Sequence, residues 1–186
     1  ESGDRPDRCR NTSVLVGPDG AVVAVYRKIH LFDVELPGGQ VLLESNAITP
    51  GRELVNAKHL GLNWGMSVCY DLRFPELYRQ LRLGGADALF VPAAFTARTG
   101  PDHWEVLLRA RAIENQCYVI APGQWGNHMP GRNSHGRSVI IDPWGTVIAT
   151  VSDGVGLAVA DVDPAMVAEV RRRMPCLDHA RLLDRS

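Results

Sequence analysis

Gly61-Leu-Asn-Trp-Gly-Met-Ser-Val-Cys69-Tyr-Asp-Leu-Arg-Phe-Pro75 is the stretch from which the rest of the chain is read. An apolar run reaches Val68, a single cysteine follows, and a helix opens near Pro75. Phe74, Leu77, Tyr78 and Leu81 then recur at the i, i+3, i+4, i+7 spacing of one buried helix face. The expectation is a strand–turn–helix corner carrying a thiol. A sharp corner of this kind lifts a nucleophile out of a sheet. The nearby helix N-terminus offers N–H groups and positive dipole, which favour thiolate over thiol. The competing reading is an inert core thiol, because free cysteine is among the most buried residue types.

Working outward, Thr12–Val16 and Ala21–Tyr26 flank the turn Gly17-Pro-Asp-Gly20 and predict a β-hairpin. Residues 36–51 read as a loop rich in Gly and Pro. Beyond the corner, Ala88–Pro92 and Cys117–Ala121 read as buried strands, and a helix over His103–Asn115 turns Trp104, Leu107, Leu108 and Ala112 inward. Residues 123–134 read as a Gly- and Asn-rich loop. Val139–Ile141 and Thr146–Val151 form a second hairpin around Asp142-Pro-Trp-Gly145, Leu157–Val162 adds a last strand, and Pro164 opens a helix to about Arg173. Strands alternating with helices argue for mixed α/β layers.

The chain of 186 residues is most simply one domain (1–186), with a tail over 174–186 available to a neighbouring subunit. Apolar residues at 45% and charged residues at 22% are globular values. A formal charge of −1 supplies no basic field for nucleic acid, and no apolar run reaches the ~20 residues that span a bilayer. Cys9, Cys69, Cys117 and Cys176 form no Cys-x-x-Cys pair, so neither a zinc site nor a disulfide framework is expected, and a reducing, cytoplasmic setting fits. The chain opens on Glu1-Ser-Gly-Asp-Arg-Pro, a polar stretch without a core-forming pattern, and reads as part of something longer.

A thiol nucleophile needs a proton acceptor, and the oxyanion it creates needs positive charge or N–H groups. His30, His103, His128 and His135 sit in loops or at element ends, so a Cys–His pair stays open on pattern alone. A lysine with carboxylates is the other construction; Lys28 at a strand end and Glu44 in a Gly-rich loop are candidates that pattern alone would not single out.

The blocks Tyr26-Arg-Lys28-Ile-His-Leu-Phe-Asp33, Glu44-Ser45 and Val68-Cys69-Tyr-Asp-Leu-Arg-Phe-Pro-Glu76 resemble successive signatures of the nitrilase superfamily, the carbon–nitrogen hydrolases. The stretch from Gly100 to Val119 and Ser138-Val-Ile-Ile-Asp-Pro-Trp-Gly145 continue the likeness in order. Around Lys28, Trp104 and Asp142 the wording is similar to the branch that holds deaminated glutathione amidase and omega-amidase. Val34-Glu35-Leu36-Pro37 and Glu44-Ser45-Asn46 lean towards the former type.

The resemblance implies a four-layer α-β-β-α sandwich and a Glu–Lys–Cys mechanism without metal or organic cofactor. It places the nucleophile on Cys69, the catalytic lysine on Lys28 and a supporting glutamate on Glu44. Lys28 and the backbone N–H of Tyr70 would hold the oxyanion, with Phe95, Thr96, His103 and Glu105 as substrate-pocket candidates. The implied reaction cleaves the amide of a small carboxylate-bearing molecule through a cysteine thioester and releases ammonia, in a homo-dimer or larger homo-oligomer. A nitrilase and a non-catalytic scaffold are the alternatives. Two departures stand out. The family's general-base glutamate block and first elements have no match here, which predicts open sheet edges and poor solubility or inactivity of these residues alone unless the absent segment is supplied. Gly136-Arg137-Ser138 stands where the family usually has Gly-His-Ser.

Overall fold

The first elements form the expected hairpin, β1 (Thr12–Val16) against β2 (Val22–Arg27), in a computed structural model that describes residues 1–36 and 39–182. β3 (Asp33–Leu36) and β4 (Gln40–Leu43) make a second hairpin, followed by a 3-10 turn at Glu44–Asn46. β5 (Asn56–His59) pairs antiparallel with β6 (Leu62–Met66) across a turn at Leu60 and Gly61, both in the left-handed region. Cys69–Arg73 is a 3-10 turn, and α1 runs Pro75–Leu83.

β7 (Ala88–Phe90), α2 (Gly100–Asn115) and β8 (Tyr118–Ala121) follow. A third hairpin, β9 (Trp125–Met129) with β10 (Arg132–His135), precedes a fourth, β11 (Val139–Ile141) with β12 (Val147–Thr150). Helices α3 (Pro164–Arg173) and α4 (Cys176–His179) close the described chain.

Six strands form one mixed sheet in the order β12-β11-β8-β7-β6-β5, in which β6, β7 and β8 run parallel. The two-residue period of a strand sorts its side chains between faces. Leu89, Val91, Val119 and Ala121 join the core beneath Leu77, Tyr78 and Leu81 of α1 and Trp104, Leu108 and Ala112 of α2. Their neighbours Ala88 and Tyr118 face the other way, against Val167 of α3. Met66 and Val68 on β6 and its exit meet Tyr26 of β2. Each large aliphatic side chain buried in this way contributes about 1.5–3 kcal/mol. Both helices on the first face thus lie over strands whose carboxyl ends point towards the Cys69 turn. No helix among the described residues is long and apolar enough to cross a membrane.

Five local expectations are corrected. The loop read over 36–51 contains β4 and the 3-10 turn, and the loop read over 123–134 contains β9 and β10. Both hairpins lie at the surface, with Val41, Leu43, Trp125 and Met129 exposed, so no buried alternation marks them in the sequence. β5 was not foreseen, because Asn56, Lys58 and His59 interrupt its apolar pattern. The strand expected over Leu157–Val162 does not form: these residues have no regular structure and pair with no strand among the described residues. Val155, Leu157 and Val159 there are 102%, 86% and 76% exposed. A strand needs a neighbour's N–H and C=O groups, which apolar composition does not supply. α2 begins three residues ahead of its expected start, since Pro101 is tolerated in a first helical turn. Of the segment Val34–Pro37, Pro37 lies outside the described residues, as do residues 183–186 of the tail.

Candidate active site

The chain leaves β6 and turns at once. Cys69 has φ +50°, in the left-handed region that residues with a Cβ rarely enter. The conformation, which costs on the order of 1–3 kcal/mol, is held by the Cys69 N–H donating to the Pro92 carbonyl (2.9 Å) and the Asp71 N–H to the Val68 carbonyl (3.1 Å). The result is the expected corner at the carboxyl end of a parallel strand, where open α/β sheets bind ligands. Cys69 is half-buried and packs, with Ile29, against both the cluster under the helices and the one around Tyr26.

Lys28 sits just past β2 and is 3% exposed. Its N–H donates to the Asn11 carbonyl, and its own carbonyl accepts from Gly51. A Cβ on Gly51 would lie 2.0 Å from the Arg27 carbonyl oxygen, so only glycine lets the two segments approach this closely. The Lys28 ammonium donates to Glu44 Oε2 at 2.5 Å. The same oxygen accepts from the Phe32 N–H (2.6 Å), and Oε1 accepts from Asn11 Nδ2 (3.1 Å). Burial alone would raise the Glu44 pKa. The Lys28 ammonium and the Phe32 N–H outweigh it and hold the carboxyl below its usual range. Glu44 is therefore a fixed anchor for the lysine and a poor proton acceptor.

Burial pushes the Cys69 thiol up, while the Lys28 ammonium and the Ala94 N–H pull it back without cancelling the effect. Lys28, Glu44 and Cys69 thus share one electrostatic environment, although they come from a strand end, a 3-10 turn and a chain corner. Phe32 and Tyr70 rings meet edge-on at 4.9 Å, Tyr70 and Phe74 at 5.4 Å, and the His30 ring stacks on Phe74 at 3.7 Å.

The pocket candidates divide. Phe95 is buried against Trp104 and lies 5.1 Å under the Arg73 guanidinium. Arg73 also meets His103 Nδ1 (3.2 Å) and Thr99 Oγ1 (3.4 Å), and Thr99 is paired with Thr96 Oγ1 at 2.7 Å. Phe95, Thr96 and His103 therefore surround one arginine. Glu105 instead lines a separate cavity of about 620 Å³ with Trp104, Trp125, His135 and Arg137. His135 lies there too, His128 pairs with Ser134 and His30 with Asp71, which disperses the histidines that a Cys–His pair would need. Arg73 and Asp71 were passed over in the sequence, although both lie in the decisive stretch. An arginine four residues after a candidate nucleophile was the available signal.

The carbon–nitrogen hydrolase family model matches residues 1–172. Deaminated glutathione amidase of Synechocystis is 52% identical over 171 residues, which are 91% of this chain and 63% of that protein. Human deaminated glutathione amidase is 48% identical over 179 residues, 96% of this chain and 55% of that protein. The crystal structure of the C. elegans NitFhit protein superposes with a TM-score of 0.92 at 43% identity, over 98% of this chain and 46% of that one. The chain thus spans roughly half to two-thirds of the length of the proteins it matches. With a mixed α/β fold of the nitrilase type around the Cys69 corner, this chain belongs to the carbon–nitrogen hydrolase family.

Proposed function

We propose that this chain supplies the nucleophile and oxyanion-stabilising groups of an amidase that cleaves the amide of a small carboxylate-bearing substrate. The observation that carries the reading is a buried ammonium, Lys28, clamped by Glu44 in the environment of a half-buried thiol on a strained corner. The Cys69 sulfur attacks the amide carbon as its proton leaves. The carbonyl oxygen becomes anionic where Lys28 and the Tyr70 N–H stabilise it, and the C–N bond breaks to release ammonia and leave a thioester. Water then cleaves the thioester to carboxylic acid and regenerates the thiol. Glu44, held by its donors, keeps Lys28 in place; the proton transfers fall to the family's general-base glutamate, for which residues 1–186 offer no match.

Arg73 supports the carboxylate part of the substrate class. Its described neighbours are a histidine nitrogen, a threonine hydroxyl and an aromatic face, which leave the guanidinium charge available to an anion four residues from Cys69. The homologous proteins named above are deaminated glutathione amidases, and deaminated glutathione is itself a small amide that bears carboxylates. The same reading carries a homo-oligomer packed through α2, where Val106 and Ile113 are exposed, and a cytoplasmic setting that keeps the four free cysteines reduced.

The test is ammonia release from the ω-amide of a 2-oxo dicarboxylic acid, in parallel with the corresponding nitrile. Acid-quenched protein is then weighed for an acyl mass on the Cys69 peptide. With the family's general-base glutamate supplied, ammonia from the amide with an adduct on Cys69 is expected; residues 1–186 alone are expected to be inactive. An adduct elsewhere, or none with either compound, rejects the reading, and preference for the nitrile would reassign the chain to nitrile hydrolysis.

A further inference from the structure

Asp71 is fully buried two residues beyond Cys69, and its carboxylate joins two segments distant in sequence. Oδ2 accepts from the Val68 N–H (2.8 Å) and from Tyr26 Oη (2.7 Å). Oδ1 accepts from the His30 N–H (3.1 Å) and lies 2.8 Å from His30 Nδ1. Tyr26 Oη in turn accepts from the Ile29 N–H at 3.2 Å. One side of the carboxylate therefore holds the peptide that enters the Cys69 corner. The other holds the backbone that leaves Lys28. A buried anion is retained only when its oxygens are satisfied, and here donors from both segments satisfy them.

We propose that Asp71 is a positioning residue, which sets the Cys69 corner against the Lys28 segment by accepting one backbone N–H from each. The inference rests on the reading of Cys69 and Lys28 as a reacting pair, and it assigns Asp71 no contact with substrate. Its chemistry demands a carboxylate. An asparagine presents one acceptor oxygen and one NH2 donor. If its oxygen faces Val68, the amide nitrogen opposes the His30 N–H; if it faces His30, the nitrogen opposes the Val68 N–H. Either orientation sets donor against donor and frees one of the two segments. The near-isosteric Asp71→Asn change thus separates the charge and acceptor pattern from side-chain volume.

The experiment labels the intact chain with iodoacetamide across a pH series and follows each cysteine by peptide mass spectrometry. Exposed Cys9 is the reference for reagent, and buried Cys117 reports unfolding. The midpoint of Cys69 labelling decides, because altered access scales the rate and leaves the midpoint in place. Asp71 is a negative charge near the thiol, so as a bystander its neutralisation would lower the midpoint. As the residue that aligns Lys28, its replacement lets the ammonium drift and raises the midpoint. The two roles therefore have opposite signs.

The expected result in Asp71→Asn is a midpoint about one unit higher with Cys117 still protected. Labelling at pH 8 would then be about threefold slower, since fewer thiolates are partly offset by their greater nucleophilicity. An unchanged or lower midpoint overturns the proposal. If Cys117 labels and so reports unfolding, Tyr26→Phe decides instead: it removes one donor to Asp71 and should move the midpoint upward by less, and no upward movement overturns the proposal. In a Lys28→Met background Asp71→Asn should give no upward shift, and an upward shift there would show that it acts without Lys28. Labelling requires no turnover. A chain inactive on amides even with the general-base glutamate supplied, but with a Lys28-dependent midpoint, would remove the amidase reading and leave this one standing; an active chain indifferent to Asp71 would do the reverse.

Discussion

Cys69 and Cys117 lie at opposite ends of the same parallel strands, and the difference between them shows how position in a sheet assigns chemistry to a thiol. Cys117 precedes β8, and its Sγ donates to the carbonyls of Ala86 (3.1 Å) and Asn115 (3.3 Å). Carbonyl acceptors stabilise the protonated thiol, and burial pushes its pKa up to about 11 despite the nearby Arg171 guanidinium. Arg171 Nη1 donates to the Asp87 carboxylate, while Nη2 donates to the Ala86 carbonyl (2.7 Å) and to Cys117 Sγ itself (3.5 Å). Cys69 follows β6 at the carboxyl ends, half-buried, facing an N–H and an ammonium that favour thiolate. Burial raises both thiols. What separates them is the deeper burial of Cys117 and the two carbonyls that hold its proton, since each sulfur has a cation and an N–H nearby.

The comparison is broken most directly by exchanging its two members. Cys69→Ser should cost at least about a thousandfold in amide turnover, as removal of a nucleophile does, while Cys117→Ser stays within about twofold of the parent, since burial alone assigns it no catalytic part. Ammonia release, with the general-base glutamate supplied, measures both, and equal losses would erase the distinction.

Lys28→Met is expected next, with a loss of about 10²–10³-fold in kcat for a removed oxyanion donor. It should also cost about 3–5 kcal/mol of stability, because Glu44 is left as a buried charge without its partner. Adding Glu44→Gln should restore much of the stability, read from urea unfolding, and none of the rate. Arg73→Gln should raise KM by about 10- to 100-fold with kcat little changed, the value of a charged hydrogen bond to substrate carboxylate. A fall in kcat at constant KM would move Arg73 from binding to chemistry.

The pH dependence sharpens the contrast without touching either sulfur. Glu44 has a folded pKa below its unfolded value of about 4.3. Its contribution is therefore present above that value and fades as pH falls through the folded pKa. Glu44→Gln should flatten the acid limb of stability against pH, whereas the Cys117 variants should leave that limb intact. The smallest effect is Cys117→Ala, about 1 kcal/mol of stability from a small buried thiol, read as a lower urea midpoint with turnover retained.

The regular elements that face the core were legible in the sequence because burial imposes a period. Leu77, Tyr78 and Leu81 on α1 and Trp104, Leu108 and Ala112 on α2 are buried as their spacing predicts. β3–β4 and β9–β10 escaped because surface hairpins are held by backbone pairing, which leaves little side-chain pattern. Residues 157–162, unpaired among the described residues, misled for the converse reason: a short apolar run supplied a strand-like composition without a partner. In the site, the Cys69 corner could be read locally, since strand, turn residue and helix start are adjacent. That Glu44 reaches Lys28 came from resemblance, and its geometry came from the fold.

By itself, then, the amino-acid order determined the β1–β2 hairpin, the two strand–helix units and a thiol at the exit of β6, all consequences of periodicity over a few residues. Only the tertiary structure decided that Phe95, Thr96 and His103 gather at Arg73 while Glu105 turns into another cavity. It alone gave the Lys28–Glu44 pair its geometry and placed Asp71 between the Val68 and His30 N–H groups. Those contacts close loops of 16, 3 and 41 residues. Long closures depend on how the β1–β2 hairpin and the sheet pack, and a one-dimensional pattern carries no term for that.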